Sequence, residues 1–496
     1  MMAGLKSLAK DTVIYGLSSI LGRFLNWCLV PLYTIMFLSQ EYGIVTYLYS
    51  YVALVLVILT YGMETGFFRF ANNDKYKNPL EVYSTSLISL ATTSIAFILG
   101  IVLFIEPISS AIELAAHPDY ILIMAITVAI DAFSSLPFSY LRYQNRAWRF
   151  ATIRLISIGV NIGLNIFFIL ACPKLWEIAP DTISWFYDPT YGIGYIFVAN
   201  LISTLVTLIL LTPELLIKYS FNGELLKRML RYSFPLLILG IAGVMNQTID
   251  KILFPYLYHD SATALSELGI YGANYKVAII MVMFIQAFRF AFEPFIFSQS
   301  KEGKGSKQSY IDAMKYFIIF SLLIFITVMY YMDIIKYFIA PSYFSGLKVV
   351  PIIMLAELFM GIVYNLSLWY KLTDQTQWGM YFSLIGLTIT VGLNLLLVPI
   401  YGYMGCAWSA FSCYLVMMII SYIIGNRKFP INYDMRSALF YSVITAIFYF
   451  VGVLPEIESE ILRLTYRTLL LFIYITLIIK KEKISPLTLL KIKRAK

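Results

Sequence analysis

Residues 375 to 426 form a run of 52 positions without a single charged side chain. No soluble domain can bury such a run and several like it and still keep a wettable surface. Residues 82 to 105 (VYSTSLISLATTSIAFILGIVLFI) make another, long enough to cross a bilayer, which takes about 20 apolar residues. Only 13% of the chain is charged, against about 25% in an ordinary soluble domain. These runs require a polytopic, all-α membrane protein, because a helix satisfies its own backbone hydrogen bonds in lipid.

Alternation of apolar runs with turn signals places spans at 12–36, 43–68, 83–105, 120–140, 150–172, 191–212, 232–258, 268–296, 309–332, 348–370, 378–399, 403–425, 437–454 and 461–480. Pro399-Ile400-Tyr401-Gly402 divides the long uncharged run into two of them. The fourteenth span is the least ordinary, since Arg463 and Arg467 stand in its first half. The first apolar stretch is too long for a secretion signal and no small-residue cleavage site follows it. Cys28, Cys406 and Cys413 fall inside spans and Cys172 has no evident partner, so a disulfide scaffold is not expected.

Charge sets the expected orientation. Arg142, Arg146 and Arg149, then Lys218, Lys227, Arg228 and Arg231, then Arg427, Lys428 and Arg436 fall on one side, with the basic tail from Lys480 to Lys496. Glu106, Glu113 and Asp119, then Glu177, Asp181 and Asp188, then Glu456, Glu458 and Glu460 fall on the other. The positive side is cytoplasmic, so both termini are expected inside. The net charge of +9 is then a matter of topology and attraction to anionic lipid headgroups, and no nucleic-acid partner is implied.

The sequence resembles itself at a spacing of about 225 residues. Gly16, Asn26 and Pro31 of span one align with Gly240, Asp250 and Pro255 of span seven. Glu41-Tyr-Gly-Ile aligns with Glu267-Leu-Gly-Ile, and Tyr49 with Tyr275. Ile162-Gly-Leu-Asn165 aligns with Val391-Gly-Leu-Asn394, and Tyr191-Gly-Ile-Gly with Tyr401-Gly-Tyr-Met-Gly. Both copies start on the same side, which predicts two pseudo-symmetric six-helix lobes with a substrate path at their interface. The expected division is 1–221 and 222–430 for the lobes, with 431–496 adding two helices and a basic tail.

Several ionisable residues fall inside spans, each costing about 2.5–3.5 kcal/mol if it faced lipid at the bilayer centre. They are Arg23, Asp131, Asp250, Lys251, Arg289, Glu293 and Glu357. A wet cavity or mutual pairing must receive them. Gly16, Ser19, Arg23 and Asn26 share one helical stripe, and Gly243, Asn246 and Asp250 share another, with Gln247 and Lys251 beside it. Arg23, Asn26, Asn246, Lys251 and Arg289 are therefore the expected substrate ligands, a guanidinium fork being suited to phosphate oxygens. Asp131, Asp250, Glu293 and Glu357 are the expected cavity acids, able to carry a coupling H+ or Na+. Adjacent residues on a helix point about 100° apart, so Asp250 and Lys251 are expected to neutralise each other imperfectly. Arg289 and Glu293, spaced i, i+4, can pair. Glu64, Arg69 and Arg154 lie near helix ends, where long side chains snorkel to the headgroups.

The motifs Asp11-x3-Tyr15-Gly16, Gly22-Arg23-x-Leu25-Asn26, Pro31-Leu32-Tyr33-Thr34 and Tyr42-Gly43 resemble those of the polysaccharide flippases. These are the Wzx-type branch of the multidrug/oligosaccharidyl-lipid/polysaccharide exporter superfamily. Leu136-Pro137-x2-Tyr140-Leu141-Arg142-x3-Arg146-Ala147-x2-Phe150 looks like the fourth-helix exit of lipopolysaccharide-biosynthesis members. The resemblance spans residues 8 to 425. It implies alternating access around a cationic cavity in a bacterial inner membrane, with an undecaprenyl-pyrophosphate-linked oligosaccharide as cargo. It also implies a glycan polymerase and export machinery as neighbours in the pathway. Related peptidoglycan-precursor flippases use arginines on the first and eighth helices, positions that Arg23 and Arg289 resemble. In those relatives helices thirteen and fourteen form a groove for the lipid tail. Two other transport readings share the plan: a multidrug cation antiporter and a peptidoglycan-precursor flippase. A membrane glycan polymerase or ligase would need larger outer loops. His117 and His259 stand in separate loops without metal-ligand spacing, and no phosphate-binding loop motif occurs, so no enzyme activity and no cofactor are expected.

Overall fold

The computed structural model describes residues 15–483 except 17, 19, 74–77, 302–306, 374 and 376, and except the side chains of 291 and 293–301. Asp11, Ser19, Glu293 and the basic tail beyond Lys483 therefore lie outside the described residues. Twelve helices are long and apolar enough to cross a membrane, and two shorter apolar helices, Ile20–Met36 and Gly194–Leu210, occupy the positions of spans one and six. Each of the fourteen stretches read from the sequence holds its helix. No strand occurs among the described residues.

Local chemistry sets the boundaries. Asn78 caps span three (Pro79–Leu103) by accepting from the Leu80 N–H at 3.1 Å. Asn222 caps span seven (Gly223–Leu257) by accepting from Leu225 N–H at 3.0 Å, satisfying a donor that the helix leaves open. Span two (Ser39–Ala71) breaks at Tyr61 and Gly62, whose φ angles are 32° and 71°. Gly192 and Gly402, the turn glycines of the last aligned pair, have φ of 52° and 55°, a left-handed conformation that a side chain would strain. Both copies therefore place a glycine with positive φ in the turn before spans six and twelve.

The helices gather into two compact units, one holding the chain up to Lys276 with Gln375–Cys413, the other Val277–Asp374 with the chain from Tyr414 onward. In the first, span seven packs along span two and along span eleven (Gln377–Tyr401). Span three shows the logic of a half-covered helix. Val82, Tyr83, Leu87 and Leu90 are at most 1% exposed and meet Met63, Phe67, Leu136 and Met229, whereas Ile95, Leu99 and Leu103 (i, i+4, i+8) stand out for lipid. Buried Glu214 anchors Arg149 at 2.9 Å, and Glu64 holds Arg142 at 2.9 Å. Asn165 and Asn394, paired by the repeat, are both fully buried, and each donates to the carbonyl four residues back, Asn161 and Thr390, at 2.8 and 2.7 Å.

A close crossing joins spans two and eight (Ser261–Lys301) at the end where both begin. A Cβ on Gly43 would overlap the Leu265 carbonyl oxygen, and one on Gly269 would overlap that of Ser39. The Ser39 and Ser266 hydroxyls hydrogen-bond across it. Gly43 and Gly269 are repeat counterparts, so the two copies meet here backbone to backbone. Beside it, Tyr47 Oη donates to Tyr256 Oη at 2.9 Å, and Tyr256 donates to the Ala111 carbonyl at 2.9 Å.

In the second unit, span nine (Lys307–Tyr330) packs on spans ten, thirteen and fourteen. Span fourteen is a continuous helix, Glu460–Lys481, despite its two arginines. Asp333 accepts from Arg463 Nε and from Arg467 Nη1, each at 2.7 Å, and Arg467 Nε also donates to the Gly452 carbonyl. At the other end Glu482 pairs with Lys315 at 2.6 Å and accepts from Tyr441.

Candidate functional site: a polar chamber in the first unit

Two contiguous cavities open among the helices of the first unit. One, of about 400 Å³, is lined from spans one, two, five, six, seven and eight. The other, of about 360 Å³, is lined from spans one, four, five and six. Asn26, Asn161 and Asn200 line both, so the two cavities are neighbours that share these side chains, and the pair forms a polar chamber with two ends. The neutral lining is tied in place. Asn161 Nδ2 donates to Asn26 Oδ1 at 3.4 Å, Asn200 Nδ2 to Tyr49 Oη at 2.9 Å, and Tyr33 Oη to Asn165 Oδ1 at 2.9 Å.

The cations sit at the two ends. The smaller cavity holds Arg23 and Arg154 with one carboxylate, Asp131, which accepts from Thr204 Oγ1 at 3.2 Å. The Arg154 guanidinium lies 4.0 Å over the Phe138 ring, and both arginines are exposed to the cavity. The larger cavity holds Lys251 and Lys276. Lys251 Nζ is 3.1 Å from Asp250 Oδ1 and 4.3 Å from the Tyr275 ring centre. Asp250, 6% exposed, lies behind it and also accepts from Tyr271 Oη at 2.7 Å. Lys276 has no carboxylate within ion-pair distance among the described residues, while its backbone carbonyl accepts from Trp27 Nε1 at 2.7 Å. Among the described residues, four cations thus face the chamber against one lining carboxylate.

A family model described as polysaccharide biosynthesis protein matches residues 8–299. The chain belongs to that family. No curated protein matches it. Among solved structures, the lipid II flippase MurJ in an inward closed conformation is similar at 15% identity, covering 96% of this chain and 99% of that one, with a TM-score of 0.72. An inward-facing multidrug resistance MATE transporter of the MOP superfamily is similar at 13% identity, covering 87% and 96%, with a TM-score of 0.64. A MATE protein in the straight conformation follows at 13% identity, 88% and 97% coverage and a TM-score of 0.59. This member of the polysaccharide biosynthesis family therefore shares the fold of these transporters.

The residues singled out from the sequence separate in space. Arg23, Asn26, Asp131 and Lys251 line the chamber. Asp250 and Lys251 form a close ion pair despite their 100° offset, because the lysine stem is long enough to curl back. Asn246 is 5% exposed and turned to span eleven, donating to the Ser383 carbonyl at 3.0 Å, so it ties helices together instead of facing the chamber. Arg289 and Glu357 belong to the second unit, Arg289 stacked 4.1 Å over Tyr364 and Glu357 buried in span ten. Arg154 faces the chamber and does not snorkel; a helix end alone does not say which way a side chain turns. Lys276, within span eight, also faces the chamber and is not among the residues expected there from the sequence. Its signal was adjacency to Tyr275, the repeat partner of Tyr49, which faces the same cavity.

Proposed function

We propose that this protein moves a lipid-linked oligosaccharide, an undecaprenyl-pyrophosphate glycan, from the cytoplasmic to the outer face of a bacterial inner membrane by alternating access. The observation that carries this reading is the balance of the chamber lining, four cations against one carboxylate, with neutral amides and tyrosines between. A multidrug antiporter for organic cations would need the opposite sign. Arg23 and Arg154 supply forked donors to diphosphate oxygens in a protein-walled cavity, where such bonds are stronger than in bulk water. Asn26 and its neighbours take the sugar hydroxyls. Both termini are cytoplasmic in this reading, and the Gly43–Gly269 crossing closes the outer face.

The cycle is transport without covalent chemistry, so no catalytic group is invoked. The membrane potential contributes about 2.3 kcal/mol per charge per 100 mV, and Asp131 in the chamber or Asp250 behind Lys251 carries a coupling H+ or Na+. Glu357 and Glu293 are the acids of the second half for the same task. Membrane lipids, a glycan polymerase and export machinery are the partners this role requires.

Deletion of the gene is expected to strand a lipid-linked glycan on the cytoplasmic face and remove surface glycan. Restoring the wild type recovers display. Arg23→Ala cuts display about ten- to a hundredfold, the loss of one charge-assisted contact of about 1.5–3 kcal/mol, with the protein still present in the membrane. Normal display with Arg23→Ala rejects its role. A deletion strain that displays glycan normally but becomes sensitive to organic cations moves the protein to the multidrug antiporters, and one that accumulates peptidoglycan precursor moves it to the precursor flippases.

A further inference from the structure

We infer that the transported glycan is acidic, and that Lys251 and Lys276 form a second anion site that receives a sugar carboxylate. This rests on the flippase reading above and names the class of its cargo.

The chamber has cations at both ends and none between. Arg23 and Arg154 line only the smaller cavity, Lys251 and Lys276 only the larger, and the residues common to both are three neutral asparagines. A lipid-linked glycan carries a diphosphate at one end, which a single cationic site serves. A second cationic site, set off by a neutral amide stretch suited to hydroxyls, needs a second anion on the same cargo. The repeat sharpens the point. The counterpart of Lys276 in the first copy is Ser50, and both face the larger cavity. Duplication of the scaffold therefore does not demand an amine there; the second copy alone carries it. Lys251 is partly served by Asp250, but Lys276 has no carboxylate within ion-pair distance among the described residues, and a cation held away from bulk water without one is costly. A bound anion offsets that cost.

The assignment of ends follows from group chemistry and from the fold. Guanidinium makes parallel bonds to phosphate oxygens, while ammonium is a point charge that accepts a carboxylate in many orientations. The lysine end also lies under the crossing of spans two and eight, since Tyr42, Thr46 and Gly272 line that cavity. Gly272 is held against Thr46 there, with no room for a Cβ. The tethered diphosphate stays at the arginine end and the far sugar reaches the lysine end beneath the crossing.

The test uses the full-length protein in detergent and two probes, a farnesyl diphosphate bearing a glucose–glucuronate disaccharide and the same lipid bearing a glucose–glucose disaccharide. Calorimetric titration is expected to give about tenfold tighter binding of the acidic probe to the wild type. Lys276→Gln brings the ratio of affinities to about one, Lys276→Arg restores it, and Arg23→Gln weakens both probes while keeping the ratio. A wild-type ratio of one overturns the inference. So does a Lys276→Gln variant that weakens both probes equally, which would make the lysines a second station for the diphosphate. If both probes bind and Arg23→Gln affects neither, the diphosphate reading of the arginine end fails, while the ratio still reports on the lysines.

Discussion

Oxidising a Ser39→Cys/Ser266→Cys variant, with Cys28 replaced by serine, stops transport, and adding a thiol reductant restores it. The two hydroxyl oxygens are 2.5 Å apart, so their carbon frames already lie within reach of a disulfide. Cys28 is removed because it is exposed, whereas the other three cysteines are buried. The crossing they would lock is a close approach between the two copies, with Gly43 and Gly269 in backbone contact. In the flippase reading proposed above, cargo leaving on this face has to part spans two and eight, and a covalent bond across them prevents it. Gly43→Leu attacks the same contact in the opposite sense: the crossing cannot close, and glycan display falls to background. Both effects are read in the glycan-display assay with membrane levels of the variant as control. Display that continues with the disulfide fully formed would show that cargo does not leave here, and the alternating-access scheme would fall with it.

The second large effect concerns stability. Asp333→Ala leaves Arg463 and Arg467 without the carboxylate both share, and Arg467 is only 7% exposed. Removing one partner from a buried charge cluster costs about 3–5 kcal/mol, because the orphaned charge must be resolvated or must drag its helix toward water. The expected outcome is a drop of several degrees in the melting temperature of the purified protein in detergent, with labelling reagents reaching the first turns of span fourteen. Asp333→Leu combined with Arg463→Leu and Arg467→Leu removes the charges together and recovers most of that loss. An Asp333→Ala protein that melts like the wild type would mean that the arginines reach headgroup level unaided.

That cluster also shows where sequence reasoning stops. The number and position of the spans were legible because the length of an apolar run is a local property, and the same holds for the turn glycines and the Asn165/Asn394 pair. The arginines of span fourteen made it look the least ordinary because their counter-charge stands 130 residues earlier in the chain. The same limit applied to the site. A charge inside a span announces that something must receive it, but not whether the receiver is a cavity, a ring or another charge. Arg23 went to a cavity, Arg289 to the Tyr364 ring, Lys251 to its neighbour Asp250, and Asn246 to a carbonyl on span eleven.

Hydropathy, carried by the chain itself, determined a membrane-embedded helical fold. Tertiary packing alone decided which polar groups share a chamber, bringing Arg154 and Lys276 to it and withdrawing Asn246. Lipid selects a helix by its average polarity over some twenty residues, whereas a binding site depends on the azimuth and reach of single side chains, which only the neighbouring helices fix.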